Sequence, residues 1–134
     1  MEKLNFLSIF VASFIPFLLG SIWYSPTLFG TVWQKEINVL DRAIQPEQVT
    51  RAYFVSWVLS FITVTAFALY LGEKPAFAFA VIQGLYVGCF FVATSFGINY
   101  QFTNRSFKIF LVDSFYYIIQ FTLYGVVLSI MTKY

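Results

Sequence analysis

The sequence predicts an all-α integral membrane protein, a four-helix bundle with an amphipathic helix lying at the membrane surface between the first and second spans. Three observations carry this reading. The 134 residues are 60% hydrophobic and 10% charged, too apolar for a soluble domain of this length. Four apolar stretches, about 4–24, 51–71, 76–98 and 107–131, each match the roughly 20 helical residues that cross a ~30 Å hydrocarbon core. Only short polar joints separate them, so residues 1–134 read as a single membrane domain.

The first span carries Pro16 near its middle. Proline removes one backbone hydrogen bond and kinks a helix, and in lipid the freed carbonyl must find a partner inside the bundle. Glu2 offsets Lys3, and small residues do not stand at cleavage-site spacing around Gly20, so the segment is expected to be a retained span and not a leader. Trp23 and Tyr24 close the run, as rings with an apolar body and a polar edge do at the headgroup level. Ser25-Pro26 then breaks the helix, because the residue before proline leaves the α region while proline suits the first position of a new helix capped by serine. A second helix is therefore expected over about 26–44. On it Phe29, Trp33, Ile37, Leu40 and Ile44 share one apolar face, with Lys35, Glu36, Asp41 and Arg42 largely elsewhere, the pattern of a helix lying in the membrane surface.

The stretch Gly20-x-x-Trp23-Tyr24-Ser25-Pro26-x-x-Phe29-Gly30-x-x-Trp33 resembles the signature of the small four-span bacterial membrane proteins grouped as domain of unknown function 1761. Phe107 to Asp113, followed by Tyr116-Tyr117 and by Gly125-Val126-Val127-Leu128, is similar to that family's last span. The resemblance covers the whole chain. It implies a four-span topology and a bacterial cytoplasmic membrane, and supplies no activity.

Pro46-Glu47 looks like the first turn of the helix that becomes the second span, with the carboxylate near the positive end of the helix dipole. Ser56, Ser60 and Thr63 share a face of that span and read as helix contacts. Gly72-Glu73-Lys74-Pro75 is a tight turn. In the third span Gly84-x-x-x-Gly88 and Ala93-x-x-x-Gly97 let another backbone approach closely, either within one subunit or between two. Gln83, an amide inside the bilayer, needs a hydrogen-bond partner. Lys35, Arg42, Arg51, Arg105 and Lys108 lie on the side of the two longer joints, against Lys3, Lys74 and Lys133 on the other. The positive-inside bias puts those joints in the cytoplasm and both termini outside.

Asp113 is the acidic residue that falls inside a span, five residues beyond Lys108 and so about 7 to 8 Å along the helix from the charged edge. A group there is costly unless paired or hydrated, and it is the first place to look for function. Tyr116 or Tyr117, Gln120 and Tyr124 follow at helical spacing and make a polar stripe that should face the bundle. With four spans, the end of the first, the start of the second, the end of the third and the start of the fourth share one membrane face. Trp23, Tyr24, Ser25, Arg51, Asn99, Arg105 and Asp113 can therefore meet there.

Two readings of that meeting stay open. In one, Asp113 pairs with Arg51, Arg105 or Lys108, or accepts from Tyr24 or Ser25, and locks the fourth span onto the first. In the other, Asp113 with Tyr117, Trp23, Tyr24, Ser25 and Gln120 binds a small cationic or apolar ligand or couples ion movement, the aromatic faces attracting the cation. Gly20, Pro26, Phe29, Gly30 and Trp33 supply the structural motif around either site. There is no histidine and one cysteine, Cys89 in an apolar run, so the usual metal sites, a disulfide within the chain and common nucleophilic catalysis find no residues. No cofactor and no enzymatic activity are expected. A net charge of +2 without a basic run gives no footing for nucleic acid. The expected partners are the lipid bilayer and further copies of the chain.

Overall fold

The computed structural model describes residues 4–37 and 45–133, and every regular element among them is helical. They are α1 (Phe6–Ala12), α2 (Ile15–Trp23), α3 (Gly30–Ile37), α4 (Pro46–Leu71), α5 (Phe77–Val87), a π-helical segment (Gly88–Ala93), α6 (Thr94–Phe102) and α7 (Phe107–Met131). Four stretches are long and apolar enough to cross a membrane: Phe6–Trp23, Pro46–Leu71, Phe77–Phe102 and Phe107–Met131. The chain is an all-α membrane protein.

Pro16 divides the first span more completely than a kink. α1 ends at Ala12, and Pro16 sits in the first turn of α2, where a missing N–H costs nothing. The Phe17 amide turns to Phe14 O at 3.1 Å. That leaves the Ser13 carbonyl to the hydroxyl of Ser60, which donates to it at 2.9 Å from α4. The Trp57 indole donates to Ser13 Oγ at 3.1 Å, and Ser13 Oγ donates to Phe10 O at 2.6 Å. The Ser13 carbonyl and hydroxyl are thus both engaged from α4, as a water-free surrounding demands.

The surface helix differs from its expected bounds. Pro26 to Phe29 form turns, and α3 begins at Gly30. The chain folds back before it can start a helix: Phe29 N donates to Trp23 O at 3.1 Å and Gly30 N to Ser25 O at 3.0 Å. Residues 38–44, including Leu40, Asp41, Arg42 and Ile44, lie outside the described residues.

α7 is the hub. It packs against α1, α2, α3, α5, the π-helical segment and α6, while α4 packs chiefly on α1. Accordingly 44% of the most apolar window of α7 is buried, against 22–28% for the other three spans. The closest approach is between α5 and α7. A Cβ added at Gly84 would stand 2.3 Å from Phe121 O, and one at Gly125 would stand 2.2 Å from Ala80 O. The small residues of the third span therefore serve packing within one subunit. Between the second and third spans Gly72 (φ +80°) and Lys74 (φ +47°) make the tight turn. Gln83 finds its partner across that turn, accepting from the Tyr70 hydroxyl at 2.6 Å.

Candidate functional site

The site forms where two chain reversals meet. Tyr24 is the residue at which α2 ends, its amide bonded to Gly20 O at 3.0 Å. The ring pairs Trp23–Phe29 (4.6 Å) and Tyr24–Trp33 (5.6 Å) fold the following turn back over the helix end. Gly30 is what permits it, since a Cβ there would stand 2.2 Å from Tyr24 O. The Trp23 indole then reaches α7, donating to Val112 O at 3.1 Å.

The third span ends in a comparable way. Asn104 takes φ +54°, its amide bonds Gln101 O at 3.4 Å and the Arg105 amide bonds Tyr100 O at 3.0 Å, the pairing of a Schellman motif with asparagine in the left-handed position. Ser106 follows as the N-cap of α7, accepting from Ile109 N at 3.3 Å. This short loop sets Tyr100 beside the second turn of α7.

Asp113 lies between the two helix ends and is 6% exposed. The Tyr24 hydroxyl donates to Oδ1 at 2.6 Å and the Tyr100 hydroxyl donates to Oδ2 at 2.5 Å. Both carboxyl oxygens thus accept from phenol hydroxyls. The carboxyl therefore ties the first, third and fourth spans together at one face. The Tyr116 hydroxyl adds a tie, donating to Pro16 O at 2.7 Å, and the Tyr24, Tyr116 and Tyr117 rings follow one another at 5.2 and 4.9 Å.

Arg51 and Arg105 are not the partners. Among the described residues neither pairs with Asp113, and both are exposed. α4 packs chiefly on α1, Arg51 is exposed, and long basic side chains keep their heads in water where they can. Ser25 also turns elsewhere, donating to Ile22 O at 2.7 Å and lying 2.9 Å from Thr27 Oγ1. Gly20 leaves room beside Tyr116, where an added Cβ would stand 3.5 Å from the hydroxyl oxygen. Pro26 is an exposed turn residue.

Gln120 belongs to a second network deeper in the bundle. Its Nε2 lies 3.0 Å from the Tyr124 hydroxyl, which lies 3.0 Å from Ser60 Oγ. The direction of the chain follows from its end. Ser60 spends its one proton on the Ser13 carbonyl, so Tyr124 donates to Ser60 and the amide must present N–H to Tyr124. Gln120 Oε1 is left buried without a hydrogen-bond partner, as is Ser114 Oγ.

Tyr100 is the functional residue that the sequence did not disclose. An aromatic at the end of a span reads as an interfacial anchor, and its link to Asp113 depends on the backbone of Asn104. The weak signal is the spacing of the two, 13 residues, short enough for one helix end to face the start of the next.

A family model described as "Protein of unknown function (DUF1761)" matches residues 7–129. No curated protein and no solved structure matches the chain.

Proposed function

From the premise that the chain belongs to the DUF1761 family, which carries no stated activity, we propose that it is a non-enzymatic multi-pass protein of the bacterial cytoplasmic membrane whose spans are held by a carboxylate lock at Asp113. The observation that supports this is the closure of Asp113: both oxygens accept from tyrosines of other spans and the side chain is buried. A coupling site for ions must exchange protons or cations with water, and a carboxyl with both oxygens engaged is poorly suited to that. A hydrogen bond contributes about 0.5–1.5 kcal/mol net and a buried partner left unmet costs about 1–3 kcal/mol, enough to order the two helix ends around α7. In this reading the longer joints face the cytoplasm, and the exposed apolar faces of the second and third spans meet lipid and further copies of the chain.

The test is flux. In vesicles bearing the protein and a pH-sensitive or cationic dye, the parent and Asp113→Asn are expected to leak alike, at the rate of protein-free vesicles. Flux that the parent sustains and Asp113→Asn abolishes would establish the competing reading, a small cation- or proton-linked transporter.

A further inference from the structure

A groove of about 650 Å³ runs between the second and fourth spans, floored by Pro16 and Phe17 of the first. Its volume falls within the ~300–1,000 Å³ of small-molecule sites. Among the described residues its walls carry no charged side chain: Ser56, Ser60 and Thr63 line it from α4, and Tyr116, Tyr117, Gln120 and Tyr124 from α7. Two polar groups there remain unmet. Gln120 is 5% exposed and its Oε1 has no partner, the orientation of the amide being fixed by the chain through Tyr124 and Ser60 to the Ser13 carbonyl. One turn earlier on the same helix, the Tyr117 ring is held by stacking on Phe96 at 4.8 Å, while its hydroxyl has no hydrogen-bond partner among the described residues.

We propose that this groove binds a neutral, membrane-soluble alcohol or phenol, whose hydroxyl accepts from Tyr117 and donates to Gln120 Oε1 while its apolar body lies along Pro16, Phe17 and Leu59. Neutrality follows from the lining. A charge would enter lipid depth without a counter-charge, which is costly, and a quaternary ammonium has no N–H or O–H to give Gln120. A primary hydroxyl or phenol meets both groups at once, being donor and acceptor together. The groove lining does not include Asp113, Tyr24 or Tyr100.

The full-length protein in phosphatidylcholine vesicles is photolabelled with a diazirine-bearing decanol, with its methyl ether as the donor-free control. Label is expected on the α4 and α7 peptides that line the groove. At sub-saturating probe, Gln120→Leu and Tyr117→Phe should each lower that label about fivefold, and the ether should label wild type at the same lowered level. Tyr117→Phe keeps the ring and its stacking, and Ser56→Phe fills the groove from an exposed position of α4, so a folding defect does not decide the result. Competition by diacylglycerol identifies a lipid alcohol as the occupant, and competition by aqueous 1-naphthol a dissolved one. Equal labelling by alcohol and ether, label unaffected by Tyr117→Phe and Ser56→Phe, no competition by either compound, or labelling spread over all lipid-facing helices overturns the proposal.

Discussion

Tyr24 and Asp113, 89 residues apart in the chain, are joined by a 2.6 Å hydrogen bond from the phenol to Oδ1. Through it the end of the first span is fastened to the second turn of the fourth. Tyr100 does the same for the end of the third span from the other carboxyl oxygen. The conformation of two loops is thereby tied to one buried side chain.

Removal of either phenol oxygen should be felt. Tyr24→Phe and Tyr100→Phe keep the rings and delete one donor each, leaving a carboxyl oxygen buried and unmet, at a cost of about 2 kcal/mol apiece. Unfolding by SDS titration from bicelles measures this. Asp113→Asn, which keeps an acceptor for one tyrosine and offers a donor to the other, should lose less than Asp113→Leu.

The two glycines of the first motif should respond differently. Gly30→Ala forces a Cβ to 2.2 Å from the Tyr24 carbonyl, a distance backbone cannot tolerate, whereas Gly20→Ala meets Tyr116 at ordinary contact distance. Gly30→Ala is expected to destabilise by about 2 kcal/mol or more and Gly20→Ala by well under 1. Thermal denaturation in detergent of the two variants side by side checks the contrast.

Alanine at Gly84 or Gly125 should part the third and fourth spans. Either Cβ would come within 2.3 Å of a facing carbonyl oxygen. Overpacking of this kind costs about 1–3 kcal/mol. Because the contact lies within one chain, the loss should appear in unfolding at any dilution, and a loss confined to subunit exchange would contradict it.

Ser60→Ala removes the donor that serves the Ser13 carbonyl at the helix break. A buried carbonyl left unmet costs about 1–3 kcal/mol. Amide exchange of α1 and α2 should quicken around residues 13–17 and remain slow in α7.

The four spans were legible because hydrophobic length in a membrane protein is a direct consequence of bilayer thickness. Asp113 and Tyr24 could be placed at one face by counting crossings alone. The turn from Ser25 to Phe29 was not legible: the rule that favours proline at a helix start is local, and here it gave way to the rings of Phe29 and Trp33 closing on Trp23 and Tyr24. Of the alternative partners offered for Asp113, the fold supplies Tyr24, while Arg51 and Arg105 stay exposed and, among the described residues, do not pair with it. Tyr100 stayed hidden because its position is set by one left-handed backbone angle at Asn104.

The most direct measurement is a double-mutant cycle between Tyr24→Phe and Asp113→Leu, read as unfolding free energy in bicelles. If the phenol and the carboxyl act as one lock, the two losses are not additive and the coupling is about 1–2 kcal/mol. Losses that add to within a few tenths of a kcal/mol would contradict the account.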